Sequence, residues 1–516
     1  MPTPEKIREG LHYVLDGVAE PITQPSGPPY TFTYQFADTV QPSDMSMGFT
    51  GWTALFPREK AAVRAAMDYV ETFLNVRYVE VTDQPDPDIN IGKVTIPGSS
   101  VGFGGYEYTY FSDGTLGSYD GFAVYDNTIN IASDRGGLIL HELGHALGLK
   151  HPFEAHSAGG RTNGPLPAEF DNKKYTIMSY TDSPDTGGDP GAMMLLDIYA
   201  LQARWGANDD NMGGDDTYTG PRQGTVDVVW DTGGTDTFDA RGTATPVVLD
   251  LTEGAFSRFG TRDDMAIAYG TVIENANGGD GHDVLTGNAS GNRLLGGGGN
   301  DTLRGMDGAD TLNGGEGDDL IQGGASEADL RDVIYAGAGN DSVDGGHGND
   351  QIYGQGGNDT LAGGFGADTV EGQDGNDVIT GSAYADFVFG GAGDDFVNGG
   401  FGHDLINGGT GGDKFFHVGG TADAMLGHGS DWVQDYNAAE GDVLVFGDSA
   451  ATAGQFQVNT THTANRETGE RSGDDDVQEA FVIYRPTGQI LWALVDGGGQ
   501  DSINLQIGAE VFDLLG

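Results

Sequence analysis

The residues best suited to chemistry lie in HELGHALGLKH, residues 141–151. His141 and His145 are four apart, so a helix presents both imidazoles on one face to a single metal ion. Glu142 stands beside them, placed to take a proton from a water on that ion. Gly148 can adopt a left-handed conformation, end the helix and turn the chain back so that His151 becomes the third ligand. Three histidines leave one coordination position open, as hydrolytic zinc requires. The spacing predicts zinc-assisted hydrolysis.

A second chemistry is written into residues 278–416, which hold 40 of the 89 glycines. Read in nines from Gly278, the stretch makes fifteen units, beginning GGDGHDVLT, GNASGNRLL and GGGGNDTLR, with one 13-residue unit, GGASEADLRDVIY, at the sixth place. The sixth position is Asp in fourteen of the fifteen, and the eighth is Leu, Ile, Val or Phe in all of them. Glycine at the first, second and fourth places lets carbonyl oxygens turn toward an ion, and the Asp adds charge. The last three places form a short strand whose eighth-position side chain points inward. Two units then make one coil of a parallel β-helix, with oxygen cages suited to calcium. The block carries 24 acidic against 4 basic side chains, a net −20. Its turns are expected to repel one another at cytosolic calcium and to order at millimolar calcium.

Several elements must position these groups. The proline-rich stretch 21–29 reads as a linker, TFTYQF (31–36) as a strand, and the folded part is expected to begin near Tyr30. Val63, Met67, Val70 and Leu74 mark one face of a helix over 58–76. Strands are predicted at 77–81, 89–96 and 124–132, and helices at 138–150 and at 191–205, the latter stopping at Gly206. VGFGGYEY (101–108) is a candidate edge strand for an extended substrate, through Gly102, Phe103, Gly104 and Gly105. Beyond Phe416 the repeat is lost, alternating segments continue with a hairpin turn at Pro486-Thr487-Gly488, and 463–476 reads as a solvated loop. The domains expected are an extension or propeptide (1–29), an α/β catalytic domain (30–206), junction strands (207–277), the nine-residue repeats (278–416) and a β-rich C-terminal region (417–516).

HELGHALGLKH, the proline that follows it (Pro152) and YTIMSY (175–180) together resemble the metzincin zinc endopeptidases of the serralysin family, and the repeat resembles the repeat-in-toxin β-roll, GGxGxDxUx. The resemblance implies a multidomain chain: an α/β metzincin protease domain, then a parallel β-roll and a β-rich terminal segment. It implies one catalytic zinc on His141, His145 and His151, with Tyr180 approaching the metal and then stabilising the oxyanion, and Met178 beneath it as a Met-turn. It also implies several structural calcium ions. Their ligands in the roll are Gly279, Gly281 and Asp283; Gly296, Gly297, Gly299 and Asp301; Asp310; Gly314, Gly315, Gly317 and Asp319; Asp332; Asp341; Gly346, Gly348 and Asp350; Asp359; Gly364, Gly366 and Asp368; Asp377; Gly391, Gly393 and Asp395; Gly400, Gly402 and Asp404; and Asp413. WDTGGTDTFDARG (230–242) and GTVIENANGGDGHD (270–283) look like the serralysin junction, which adds Asp231, Gly233, Asp236 and Glu274. Asn292, standing where the others have Asp, and the unit GSAYADFVF, with one loop glycine, are expected to make weak or empty cages.

Composition narrows the field further. The 516 residues suggest two to four domains, and 79 acidic against 24 basic side chains give a formal charge of −55. That charge disfavours nucleic acid and anionic membranes and favours divalent cations. No Cys is present, which excludes disulfides, thiolate metal sites and a cysteine-switch latency; Asp16 is a candidate blocking ligand instead. No window has the apolar length of a membrane span, and the N-terminal stretch lacks the apolar core of a secretory signal. By the resemblance, the expectation is an extracellular monomer from a Gram-negative bacterium, exported through type I secretion machinery by a C-terminal signal near Phe512-Asp513-Leu514-Leu515, although Gly516 departs from the family ending. Protein or peptide substrates and a small proteinaceous inhibitor are the partners expected. The alternative is a calcium-binding adhesion or matrix protein with an inactive protease-like domain.

Overall fold

A computed structural model of the protein describes every residue except 14–20, 23–28, 46–47, 112–114, 134–136, 159–160, 184–189, 222–225, 325, 420–427 and 462–476. Asp16 and the predicted loop at 463–476 lie outside the described residues. The chain divides into two compact units, Met1–Asp236 with Thr252–Ile273, and Thr237–Leu251 with Glu274–Gly516. Residues 207–277 are therefore shared between the two. No helix among the described residues is long and apolar enough to cross a membrane.

The first unit contains, in chain order, α1 (Pro4–Leu11), β1 (Tyr30–Ala37), β2 (Thr50–Thr53), α2 (Pro57–Phe73), β3 (Val76–Glu80), β4 (Ile89–Thr95), β5 (Gly102–Tyr110), β6 (Leu116–Asp126), α3 (Gly137–Ala146) and α4 (Leu195–Trp205), with short pieces between and after them. Its sheet runs β3-β1-β4-β6-β5, with β2 beside β4. The first four are parallel, and β5 lies antiparallel to β6 at the edge. Pro57 fixes the first turn of α2, and Glu59 accepts from the Phe56 N–H at 2.8 Å. The predicted stripe, Val63, Met67 and Val70, is buried with Ile7 and Leu11 of α1, Leu143 of α3, and Leu201 and Trp205 of α4.

Four expectations are corrected here. The folded part begins at α1, not near Tyr30: Thr3 caps that helix, and its apolar face is in the core. The helix expected to reach residue 150 ends at Ala146, because Gly148 takes φ 100° and the Leu149 N–H closes back on Gly144 O at 2.8 Å. The strand expected at 124–132 ends at Asp126, whose carboxylate accepts the Thr128 N–H at 2.9 Å and turns the chain. The helix expected from 191 starts at Leu195, where Asp197 accepts the Met194 N–H at 2.9 Å.

In the second unit short strands alternate between two long sheets, parallel along the repeats and antiparallel among their last strands. Neighbouring strands keep the repeat in register, Leu294 opposite Leu312 and Leu303 opposite Ile321, while the 13-residue unit lengthens one step to Leu312 opposite Ile334. All fifteen eighth-position side chains are buried in the interior, each contributing about 1.5–3 kcal/mol. The repeat does not stop at Phe416, which corrects a further expectation. Asp431–Val433 pairs parallel with Leu405–Thr410, and Val443–Phe446 with Lys414–His417. Val433 and Leu444 take the inward position. Gly429-Ser-Asp-Trp-Val and Gly441-Asp-Val-Leu retain the sixth-to-eighth spacing, displaced by the residues between them.

Candidate active site and cation sites

α3 places His141 and His145 one turn apart, and the turn at Gly148 returns His151 to them. The ring centroids stand 4.9 Å (141–145), 4.6 Å (145–151) and 5.4 Å (141–151) apart. One ring nitrogen from each lies within 4.8 Å of the other two. Every Nδ1 is tied to an oxygen: His141 to Ile177 O at 2.9 Å, His145 to Leu149 O at 2.9 Å, and His151 to Glu154 Oε1 at 3.0 Å. A proton held on Nδ1 leaves Nε2 as the free donor atom, and Nε2 of His145 and His151 are 3.1 Å apart. Burial lowers His141 to about 4 and His145 to about 3, so both rings are neutral and able to coordinate. The donor set fits a tetrahedral zinc ion.

Tyr180 stands over this trio, 65% exposed, with its hydroxyl 2.8 Å from His151 Nε2. Burial, then the charges of Glu142 and Glu154, raises its hydroxyl above the ordinary value. Met178 is fully buried, and a Cβ on Gly144 would come 2.9 Å from its Sδ, so the thioether sits directly against α3. Asp197, which the sequence did not flag, holds this segment: it accepts from the Thr176 hydroxyl at 2.5 Å and the Ile177 N–H at 2.7 Å. Burial pushes its carboxyl up to about 6, against the pull of those hydrogen bonds.

Glu142 is 4% exposed, and burial lifts its carboxyl to about 8, with the Gly104 backbone pulling the other way. β5 passes close over it: a Cβ on Gly102 would stand 2.4 Å from Glu142 Oε1, and one on Gly104 2.2 Å from Glu142 O. Glycine is required at both places because the strand backbone touches the helix. Gly102, Phe103 and Gly104 line a cleft of about 1130 Å³ with the three histidines, Glu142 and Tyr180. Gly104→Ala is expected to displace the edge strand and lower peptidase turnover by about 10²-fold, the usual effect of an ångström-scale misplacement. Kinetics on a peptide substrate check this.

The roll supplies a ladder of carboxylates. The N–H of Asp301 donates to Asp319 Oδ1, 18 residues on, at 2.7 Å, and the pattern repeats along both rows of turns, as in Asp341 to Asp359 on one and Asp350 to Asp368 on the other. The remaining oxygen, Oδ2, is buried and unpaired at Asp301, Asp310, Asp319, Asp332, Asp341, Asp350, Asp359, Asp368, Asp377, Asp386, Asp395, Asp404 and Asp413. A cation bound there would satisfy buried oxygens of this kind. A Cβ on Gly297 would stand 2.3 Å from Gly279 O, and one on Gly299 2.2 Å from Gly281 O, so the stacked turns admit only glycine there. Asn292 keeps the ladder bond, its N–H donating to Asp310 Oδ1 at 2.7 Å, but its side-chain amide donates to Glu274 O at 3.0 Å where the others offer a second oxygen. Asp386 in GSAYADFVF keeps its unpaired oxygen, but Ser382 (φ 79°) and Tyr384 (φ 88°) occupy the left-handed region, at a cost of about 1–2 kcal/mol each.

In the first unit Asp231 and Asp236 meet Asp216, with one oxygen from each within 4.8 Å of the others, and Gly233 N–H donates to Asp231 at 3.1 Å. Asp216 was not anticipated; Asp-Asp-Thr-Tyr (215–218) carries no spacing that singles it out. Glu274 belongs to the second unit and receives the Arg293 N–H on its carbonyl at 3.2 Å.

Residues 210–463 match the family model described as Peptidase M10 serralysin C terminal. The chain is 34% identical to a serralysin of Photorhabdus luminescens over 51% of its own length and 59% of that protein's. It is 31% identical to a serralysin of Proteus mirabilis, over 49% and 61%, and 31% identical to the metalloprotease AprA of Pseudomonas entomophila, over 56% and 65%. The matches span about three fifths of the length of these relatives. Over about half its length the chain is thus similar to the serralysins and their relatives, and its second unit is a β-roll of repeat-in-toxin-like units.

Proposed function

We propose that the protein is a secreted zinc-dependent endopeptidase whose β-roll is folded by calcium. The convergence of three Nε2 donors beside a buried Glu142, under an edge strand, is the observation that carries this reading. Zinc, when bound, polarises the scissile carbonyl and lowers the pKa of a water to about 7. The chain's own groups do the rest. The open flank of β5 pairs with an extended substrate backbone, which fixes the scissile bond in the cleft. Glu142 takes the proton of the attacking water and hands it to the leaving amine. Tyr180, exposed beside His151, donates its hydroxyl to the oxyanion. The serralysin and metalloprotease names of the relatives support the same chemistry.

Calcium in the coils, with Asp216, Asp231 and Asp236 as a further cation site, fits an extracellular protein that orders after export. Type I secretion machinery is the route this reading assigns. The test is a casein assay with metal analysis. One zinc per chain is expected; a zinc-selective chelator should abolish hydrolysis while calcium is kept in excess, and stoichiometric zinc should restore it. Undiminished hydrolysis by a zinc-free chain would sink the proposal.

A further inference from the structure

We propose that residues 10–13 are a working part of the metal site: they clasp the turn that carries His151 and orients His145, and Tyr13 walls the cleft. This rests on reading the three histidines as zinc ligands. His12 runs antiparallel to Leu149. The Lys150 N–H donates to Leu11 O at 2.8 Å, and the Tyr13 N–H to Gly148 O at 3.2 Å. Two buried cations close the clasp. Lys150 Nζ donates to Gly10 O at 2.6 Å, Glu154 O at 2.6 Å and Gly164 O at 3.1 Å. Arg204 spans the two strands of the clasp, with Nη1 on Gly148 O and Nη2 on Tyr13 O, each at 2.6 Å. Asn163 adds a bond to His12 O at 3.0 Å.

The turn so held is the one the ligands depend on. Leu149 O is the acceptor for His145 Nδ1, and Lys150 leads directly into His151. A buried charge that loses a carbonyl partner is costly, so the turn has one low-energy position only while residues 10–13 occupy theirs. Lys150 and Arg204 are thus positioning residues. Tyr13 packs edge-on against Tyr106 (5.8 Å) and His156 (4.9 Å) and lines the cleft. Removal of this segment loosens the metal instead of unblocking the site, the reverse of what an activation peptide does.

Zinc retention against a competing chelator, with kcat and KM, tests this on the full chain, a chain lacking residues 1–13, Arg204→Lys and Tyr13→Ala. The truncated chain should lose zinc at least about tenfold more readily, with retention restored by a synthetic peptide of residues 1–13. Arg204→Lys keeps the charge but cannot span two carbonyls, so it should shift the same way, and it carries the test if the truncated chain does not fold. Tyr13→Ala should raise KM with zinc retention unchanged. Zinc retention equal to the full chain's in the truncated protein or in Arg204→Lys overturns the clasp, and an unchanged KM in Tyr13→Ala overturns the wall. A full-length chain that binds no zinc overturns the metal reading itself.

Discussion

Glu142→Gln is expected to bind one zinc per chain, as the wild type does, and to lose peptidase turnover by about 10³-fold or more. The two halves of this expectation have different physical origins. Zinc binding survives because the ligand geometry is set elsewhere, by Ile177 O, Leu149 O and Glu154 on the three Nδ1 atoms. Turnover falls because an amide of the same shape fits under Gly102 and Gly104 but cannot accept a proton, and a positioned general base contributes about 10²–10⁴-fold. Metal analysis and steady-state kinetics on one preparation decide the matter. Near-wild-type turnover would remove Glu142 from the mechanism, and loss of zinc would make it a structural residue instead.

Removal of calcium at pH 8 is expected to unfold the second unit, with loss of its β signal in circular dichroism and recovery at millimolar calcium. The cause is the column of unpaired Oδ2 atoms. Burial raises these carboxyls above their ordinary range, Asp332 and Asp386 to about 8 and Asp301, Asp310, Asp350, Asp359 and Asp413 to about 7. Without the ion, the folded roll binds more protons than the unfolded chain between pH 4 and 8. Its stability is then greatest at the acid end of that window and is lost as the pH rises through the folded values. With calcium present the same protons compete with the metal. Because those protons stabilise the ion-free roll, removal of calcium at pH 6 is expected to cost less of the β signal than removal at pH 8. Identical spectra with and without calcium at pH 8 would refute the ion-dependent roll.

What could be seen in advance follows the reach of each signal. The helix of α2, the strands expected at 31–36, 77–81, 89–96 and 101–108, and the inward slot of every repeat are periodic over a few residues, and the structure keeps them. The boundaries at Ala146, Asp126 and Leu195 were missed because single residues decide them: a left-handed Gly148, an Asp126 carboxylate that caps its own turn, and Asp197 at the start of α4. The two units after Phe416 were missed because the chain between them breaks the count, not because their Asp-x-apolar pattern is absent.

The linear chain alone determined which atoms can bind metal: the trio His141, His145 and His151, the adjoining Glu142, and the aspartates of the coil. These depend on spacings of four and nine residues, and local backbone geometry turns such spacings into shared faces. Only the tertiary structure decided that α1 belongs to the core, that Lys150 and Arg204 hold the turn before His151, that Asp197 anchors the Met178 segment, and that Asp216 joins Asp231 and Asp236. Those contacts link residues that no local period relates, and only the packed chain brings them within hydrogen-bonding distance.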